Sequence, residues 1–163
     1  MFKAARVILV LALALVAALA AAGCAQTQSS QAEDSTSSRN LTNDQAVIVT
    51  ADDVAALEEG AYLVDTRTYE EYVEGHIPGA LNASYPKSTG GPCQTEENSA
   101  SFRNAWAKLD IPKDARVVVY CRTGVRASAA ASALMEDGYT NVELYEGSWT
   151  DWTSDPSRPV ETV

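Results

Sequence analysis

Cys121 is the residue whose surroundings in the sequence most clearly allow chemistry. It follows an apolar run, 117–120, that is typical of a buried strand, and it precedes a stretch typical of a helix. In an open parallel sheet, ligands bind beyond the carboxyl ends of the strands, where loops and helix N-termini converge. A thiol held there acts as a nucleophile when its surroundings favour the thiolate. We therefore predict that Cys121 is a catalytic nucleophile.

The residues after Cys121 have the composition of an anion-binding loop. Backbone amides of a tight loop attract negative charge, and so does the N-terminal end of a helix, which the sequence places over 127–137. Two arginines add fixed positive charge, and a glycine lets the backbone turn tightly and approach a ligand. We predict that the substrate is bound by Arg122, Thr123, Gly124, Val125 and Arg126.

The net negative charge of the chain means that an anionic substrate needs a local positive region in order to bind. The chain has 12 basic and 22 acidic residues, a formal net charge of -10. Such a balance repels nucleic acid, so we expect no nucleic-acid partner. An anionic substrate must instead be captured by a local positive region, and the loop with its two arginines supplies one.

The elements that would position this loop follow from hydrophobic periodicity. Short β-branched runs alternate with helical patterns, which predicts an α/β fold, a central parallel sheet flanked by helices in a single domain. The predicted strands are 47–49, 62–65, 81–83, 116–120 and 142–144. The predicted helices are 51–59 with Thr50 as N-cap, a short one over 69–73, one carrying Phe102, Trp106 and Leu109 that ends before Pro112, and 127–137.

The N-terminal part of the sequence is typical of a targeting segment. Lys3 and Arg6 precede an apolar run, 7–22, which is shorter than a typical spanning helix and ends in small residues before Cys24. This resembles a bacterial lipoprotein signal peptide over 1–23, with Cys24 lipidated; an uncleaved anchor helix is the alternative. Residues 24–45, rich in Ser, Gln and Thr, then form a flexible tether to a domain over 46–163. We expect an exported, membrane-anchored protein that faces the periplasm or the outer cell surface.

Four motifs in order resemble the rhodanese family. They are DTR at 65–67, YVEGHIPGALN at 72–82, CRTGVRAS at 121–128 and EGSWTDW at 146–152. The resemblance implies a rhodanese-like fold around a parallel sheet and a catalytic cysteine that alternates between thiol and persulfide. It assigns that role to Cys121, the anion-binding loop to 122–126, and a supporting role beside the loop to Asp65 and Arg67.

The loop length indicates sulfur chemistry within that resemblance. From Cys121 to Arg126 the loop has six residues, whereas related phosphatases and arsenate reductases have a longer one that matches a tetrahedral oxyanion. The resemblance therefore implies a sulfurtransferase that needs no cofactor. Its partners would be a small anionic sulfur donor such as thiosulfate and a thiol or cyanide acceptor.

Other residues with reactive side chains have structural interpretations. His76 is the single histidine and lies in a turn, and a thiolate favoured by amides needs no general base, so we expect a structural role. We expect Trp149 and Trp152 to be core aromatics. One histidine and widely spaced cysteines do not make a ligand set, so we expect no metal site.

Cys93 leaves two alternatives open. It lies in a polar insertion, 87–98, and could resolve a Cys121 persulfide or form a disulfide with Cys121. It could equally be a loop cysteine without a role. Two alternative hypotheses therefore stand beside sulfur transfer. One is a redox protein that uses both cysteines, and the other is a non-enzymatic module that binds a partner or senses sulfur.

Overall fold

The computed structural model describes residues 46–163. In this part of the chain the strands are β1 (Val47–Val49), β2 (Tyr62–Asp65), β3 (Leu81–Asn82), β4 (Val117–Tyr120) and β5 (Val142–Tyr145). The helices are α1 (Ala51–Ala55), α2 (Tyr69–Glu74), α3 (Glu96–Trp106), α4 (Val125–Glu136) and α5 (Ser148–Trp152), and a single 3-10 turn, Ala107–Leu109, continues α3.

The five strands form one parallel sheet in the order β1-β5-β4-β2-β3. β4 is the central strand and all four of its residues are buried, as are those of β5. Strands covered on both faces need continuous apolar runs, which explains why 117–120 reads Val-Val-Val-Tyr. The predicted α/β fold with a parallel sheet is confirmed.

Two apolar clusters cover the two faces of the sheet. One, the α4 cluster, combines the alanines of α4 and the aromatic side chains of α3 with alternate residues of β4. The other, the α5 cluster, contains Val54 of α1, Trp152 of α5 and the remaining residues of β4. Because successive residues of a strand point to opposite faces, β4 contributes to both clusters.

The first helix is shorter than predicted. Thr50 is the N-cap as expected: its side chain accepts from the Asp53 N–H and the Asp53 carboxylate accepts from the Thr50 N–H at 2.8 Å. The helix nevertheless ends at Ala55 rather than at residue 59. Glu58 and Glu59 would add negative charge to the C-terminal end, where the helix dipole is itself negative. The predicted range 51–59 is therefore wrong in its second half.

The other boundaries differ from the predicted ones by small shifts. β3 ends one residue early, β4 begins one residue late, β5 extends to Tyr145, and α4 covers 125–136 instead of 127–137. Leu109 lies in the 3-10 turn and not in α3, and Asp110 ends the segment with a left-handed backbone, φ 50°. Helix α5 was not predicted; its five residues lie within the fourth motif, where Trp149 and Trp152 were expected to be core aromatics.

The predictions for residues 1–45, including the signal peptide, lipidation of Cys24 and the tether, lie outside the described residues. Between residues 46 and 163 there is no helix with the length and apolar character required to cross a bilayer.

Candidate functional site

Cys121 lies at the carboxyl end of the central strand. Val117 and Val119 of β4 point into the α4 cluster, whereas Val118 and Tyr120 point into the α5 cluster. Cys121 continues this alternation and joins the α4 cluster, with 1% of its surface exposed. The cysteine is therefore held by the sheet register, under the loop that leads into α4.

The carbonyl groups at the start of this loop are held by helix α5. Cys121 O accepts the Trp149 N–H at 3.0 Å, and Arg122 O accepts from Thr150 through its N–H at 3.1 Å and its hydroxyl at 2.8 Å. In a trans peptide the carbonyl and the following N–H point in opposite directions. The N–H groups of Arg122 and Thr123 therefore point away from α5.

The loop amides are left as free donors. Within residues 46–163, none of the N–H groups of 122–126 has a hydrogen-bond acceptor. The first N–H groups of a helix have no partner inside it, and α4 begins at Val125, so its first turn adds to this set. The side chains of Thr123 and Val125 are exposed. Free amides beside a cysteine form a surface that can bind a small anion.

Gly124 is required at its position for two reasons. Its φ is 86°, in the left-handed region where glycine is favoured. A Cβ atom there would also lie 2.7 Å from the carbonyl oxygen of Glu146. The turn inferred from the sequence is present, and close contact with the chain after β5 adds a steric constraint to it.

A buried carboxylate that the sequence analysis did not single out organises the loop arginines. Glu71 of α2 accepts from Arg122 Nε at 2.9 Å and from Arg126 Nη1 at 2.8 Å. Lys87 Nζ lies 3.3 Å from Glu71 Oε2. One carboxylate thus contacts three cations, so the positive region predicted from the two arginines carries a counter-charge within it.

The ionisation of Glu71 follows from these contacts. Burial by itself raises the pKa of Glu71, but hydrogen bonds from Arg126, Arg122 and the backbone of Thr68 outweigh it and hold the pKa well below its ordinary range. The carboxylate therefore stays charged at neutral pH and fixes both arginines.

Two residues with hydroxyl side chains bind the peptide group that joins Tyr120 to Cys121, immediately before the loop. Ser148 Oγ accepts the Cys121 N–H at 3.1 Å and donates to Tyr145 O at 2.9 Å. Thr66 donates to Tyr120 O through its N–H at 2.8 Å and its hydroxyl at 2.9 Å. Ser148 is fully buried with a φ of 57°. A left-handed non-glycine backbone in a buried position marks a site whose surroundings enforce it.

Asp65 and Arg67 form a buried ion pair. Arg67 Nη2 lies 2.6 Å from Asp65 Oδ2, and the same guanidinium donates to Gly75 O at 2.5 Å. Asp65 is in register with Tyr120, so it lies on the face of the sheet opposite Cys121. The Asp65–Arg67 ion pair and the Cys121 thiol therefore lie on opposite faces of the sheet.

Arg67 is connected to the loop through Trp149. Its guanidinium carbon lies 4.3 Å from the centre of the Trp149 ring. The backbone N–H of Trp149 donates to the Cys121 carbonyl. The supporting role that the resemblance implies for Asp65 and Arg67 thus has an indirect path: the ion pair holds Trp149, and Trp149 holds the start of the loop.

Cys93 is half-buried and packs against the α4 cluster, which includes Cys121. Its Sγ lies 3.9 Å from the Pro86 carbonyl oxygen, a long contact to a weak donor. Burial raises the pKa of the Cys93 thiol; Arg126 opposes this shift and Cys121 adds to it. The two cysteines are therefore electrostatic neighbours, and both are free thiols.

The remaining predicted residues have the contacts of structural side chains. His76 Nδ1 lies 2.9 Å from Tyr72 O, and its ring stacks on Tyr72 with centroids 3.9 Å apart. Trp152 is buried and donates from Nε1 to Pro159 O at 2.9 Å. Trp152 belongs to the α5 cluster, and Tyr72, on which His76 stacks, packs against that cluster.

Two site residues that were not predicted, Glu71 and Ser148, have a sequence feature that could have identified them. Thr68 and Glu71 are spaced as a capping box, and Glu71 does accept the Thr68 N–H at 3.2 Å. Ser148 lies inside the fourth motif. No sequence feature connects Lys87 with the loop, because its partner lies 16 residues earlier on another element.

Comparison with known proteins places this geometry in a family. Residues 50–155 match the rhodanese-like domain. The chain is 38% identical over 127 residues to a protein of Haloferax volcanii with the provisional name thiosulfate sulfurtransferase, covering 68% of this chain and 44% of that protein. It is 31% identical over 135 residues to the 3-mercaptopyruvate sulfurtransferase of Escherichia coli K12, covering 74% and 47%. The chain thus spans less than half the length of these relatives.

Solved structures agree with the fold. The anaerobic ergothioneine biosynthesis enzyme from Chlorobium limicola, solved with trimethyl histidine, superposes with a TM-score of 0.60 at 28% identity, covering 71% of this chain and 32% of that chain. A structure of EanB with a cysteine persulfide gives the same TM-score and coverage. Since the matched segment covers more than half of the sequence and includes β2, β4, the loop and α5, the chain belongs to the family of rhodanese-like domains.

Proposed function

We propose that this protein is a sulfurtransferase that moves sulfane sulfur from thiosulfate or a similar donor to a thiophilic acceptor through a persulfide on Cys121. The observation that carries the proposal is the set of unpaired amides, 122–126, that directly follows a cysteine at the end of the central strand. Donors of this kind stabilise a developing or resident negative charge without reorganising. The names of the relatives, thiosulfate and 3-mercaptopyruvate sulfurtransferases, support the same class of reaction.

The first half-reaction loads the cysteine. The Cys121 thiolate attacks the outer sulfur of thiosulfate, a bond forms between Sγ and that sulfur, and the bond to the sulfonate sulfur breaks. Sulfite leaves with the electron pair, and the protein retains an anionic persulfide. The charge stays near the same amides throughout, which is the arrangement that a preorganised anion site favours.

The second half-reaction empties the cysteine. A nucleophilic acceptor such as cyanide or a thiolate attacks the outer persulfide sulfur, and the Cys121 thiolate leaves. Two half-reactions that share a covalent intermediate predict ping-pong kinetics. Because Cys121 is almost completely buried, the proposed reactants are small.

The decisive experiment is mass analysis of the full-length chain after incubation with thiosulfate. We expect one added sulfur on the peptide that contains Cys121, removed by cyanide with formation of thiocyanate. Cys121→Ser abolishes the addition, whereas Cys93→Ser keeps it. Thiosulfate consumption that survives in Cys121→Ser contradicts the proposal. The absence of added sulfur in Cys93→Ser, where no disulfide with Cys121 can form, also contradicts it and favours a non-enzymatic binding module.

A second candidate function uses both cysteines, and the packing of Cys93 against the cluster that contains Cys121 favours it. In this reaction the Cys93 thiolate attacks Cys121 Sγ, the outer sulfur leaves as hydrosulfide, and a Cys93–Cys121 disulfide forms that an external dithiol must reduce. Nonreducing mass analysis tests it: a disulfide and one released sulfide per loaded chain support it, and a stable persulfide in the presence of Cys93 excludes it.

The location of the protein is a further part of the proposal. We infer export and anchoring through a lipid on Cys24, because an apolar run and small residues precede this cysteine. Mass analysis of the N-terminal peptide from membranes tests this. An acylated N-terminal Cys24 is expected, and an intact Met1 contradicts it.

A further inference from the structure

Lys87 is a third cation at the candidate site, contributed from outside the four motifs. Its Nζ lies 3.3 Å from Glu71 Oε2, and Arg126 Nη1 binds the same oxygen at 2.8 Å. Glu71 Oε1 in turn accepts from Arg122. Lys87 therefore lies in the same charge cluster as the two loop arginines, although it follows β3 and they follow β4.

The backbone before Lys87 is fixed by a buried anchor. Tyr85 is fully buried, its N–H donates to Thr66 O at 3.0 Å, and its hydroxyl lies 3.1 Å from Ser99 Oγ. Lys87 follows this anchor by two residues, so the core holds the backbone at the point where the segment 87–98 begins.

The exposure of the cluster decides which charges an approaching ion meets first. The side chains of Arg122 and Lys87 are 54% and 58% exposed, whereas those of Arg126 and Glu71 are 9% and 7% exposed. The exposed Glu70 also interacts electrostatically with Lys87, so two carboxylates face three cations and one positive charge remains in excess. The two solvent-facing cations are Arg122 and Lys87. In a chain of net charge -10, such a local excess attracts small anions over about a Debye length, roughly 10 Å at 0.1 M salt.

We propose that Lys87 is a specificity-determining residue that recruits sulfur donors bearing negative charge beyond the transferred sulfur, such as the sulfonate of thiosulfate. The inference rests on the proposed sulfurtransferase function. Lysine is suited to this role, since its ammonium is a compact point charge on a flexible stem and needs no fixed bidentate geometry. Because the Lys87 ammonium is more than half exposed, its ion pair with Glu71 contributes little to the free energy of unfolding.

The test compares two small reagents that place a sulfur atom on the same thiolate. Thiosulfate is a dianion, and methyl methanethiosulfonate is uncharged; both lose an oxidised sulfur leaving group when the thiolate attacks. The second-order rate at Cys121 is read from its peptide by mass spectrometry in the full-length chain. We expect Lys87→Ala to slow thiosulfate about fivefold at low ionic strength, through KM, and to leave the uncharged reagent unchanged.

Matched variants separate charge from structure. Lys87→Arg restores the thiosulfate rate, and Lys108→Ala, which removes an exposed lysine on the 3-10 turn, leaves it unchanged. At 1 M salt, where the Debye length is about 3 Å, the difference between Lys87→Ala and the unsubstituted chain disappears.

Three outcomes overturn the inference: an unchanged thiosulfate rate in Lys87→Ala, an equal slowing of both reagents, or the same slowing in Lys108→Ala. Failure of the proposed function is distinct from these. It appears as a Cys121 that reacts with the uncharged reagent but takes no sulfur from thiosulfate in the unsubstituted chain.

Discussion

Replacement of Glu71 by glutamine tests whether the buried carboxylate holds the loop. The change keeps the size of the side chain and an oxygen that can accept the Thr68 N–H, but it removes the charge that Arg122 and Arg126 contact at 2.9 and 2.8 Å. Breaking a buried ion pair by removing one partner costs about 3–5 kcal/mol. Because Arg122 and Lys87 are more than half exposed, water screens part of the loss, and we expect the lower end, about 3 kcal/mol.

The pH dependence gives the prediction a second, independent readout. The folded-state pKa of Glu71 is depressed, so its contribution to the free energy of unfolding is complete above its ordinary pKa of 4.5 and is lost as the pH falls through the lower folded-state value. We therefore expect the stability difference between the unsubstituted chain and Glu71→Gln to be largest at pH 6–7. It should shrink progressively as the pH is lowered below about 4.5.

Urea unfolding followed by tryptophan fluorescence measures this difference, and about 3 kcal/mol corresponds to a melting temperature lower by roughly 12 °C for a domain of this size. Glu74→Gln is the matched control, an exposed glutamate at the end of the same helix. A Glu71→Gln variant as stable as Glu74→Gln, or a difference that does not change with pH, would refute the reasoning.

Three further substitutions or reactions probe the same site. Gly124→Ala places a Cβ 2.7 Å from the Glu146 carbonyl oxygen at a φ of 86°, so we expect a loss of about 2 kcal/mol in unfolding free energy and a sulfur-loading rate at least tenfold lower; normal loading would show that the loop tolerates another geometry. Ser148→Ala leaves the buried Cys121 N–H without its acceptor and should lower the free energy of unfolding in urea by about 1–3 kcal/mol. A decrease of less than about 0.5 kcal/mol would show that this hydrogen bond is dispensable. Because burial raises the pKa of Cys93 above the ordinary 9.0, its alkylation by iodoacetamide should be slower in the folded than in the urea-unfolded chain and should keep rising with pH above 9.0, whereas a plateau below pH 8 would contradict the shift.

The strands were predictable because their signal is local. β1 and β2 have the predicted bounds, and β3, β4 and β5 differ by one residue. Parallel strands buried on both faces are apolar at most positions, and a charged residue there needs a partner, as Glu143 of β5 has in Arg116. The uninterrupted apolar run 117–120 therefore identifies a central strand without knowledge of its neighbours. Helix ends were less predictable. Residues 56–59 fit the periodicity of α1 but carry two glutamates where the helix dipole disfavours them.

The contacts that hold the candidate site were not predictable in the same way. Glu71 meets Arg122 across 51 residues of sequence, and Ser148 meets Cys121 across 27. Arg67 stacks on the ring of Trp149, whose backbone N–H binds the Cys121 carbonyl, from the face of the sheet opposite the Cys121 side chain. Such pairs depend on which loops converge at one edge of the sheet, and that is set by strand order.

The sequence by itself determined the class of fold, the position of Cys121 at the end of a buried strand, and the six-residue loop after it, because strand periodicity and turn chemistry act over a few residues. Only the tertiary structure decided the charge state and orientation of that loop. The strand order β1-β5-β4-β2-β3 brings α2, the segment after β3 and α5 around it. There Glu71 neutralises part of its charge, and α5 takes up two of its carbonyl groups, so that the amides remain free.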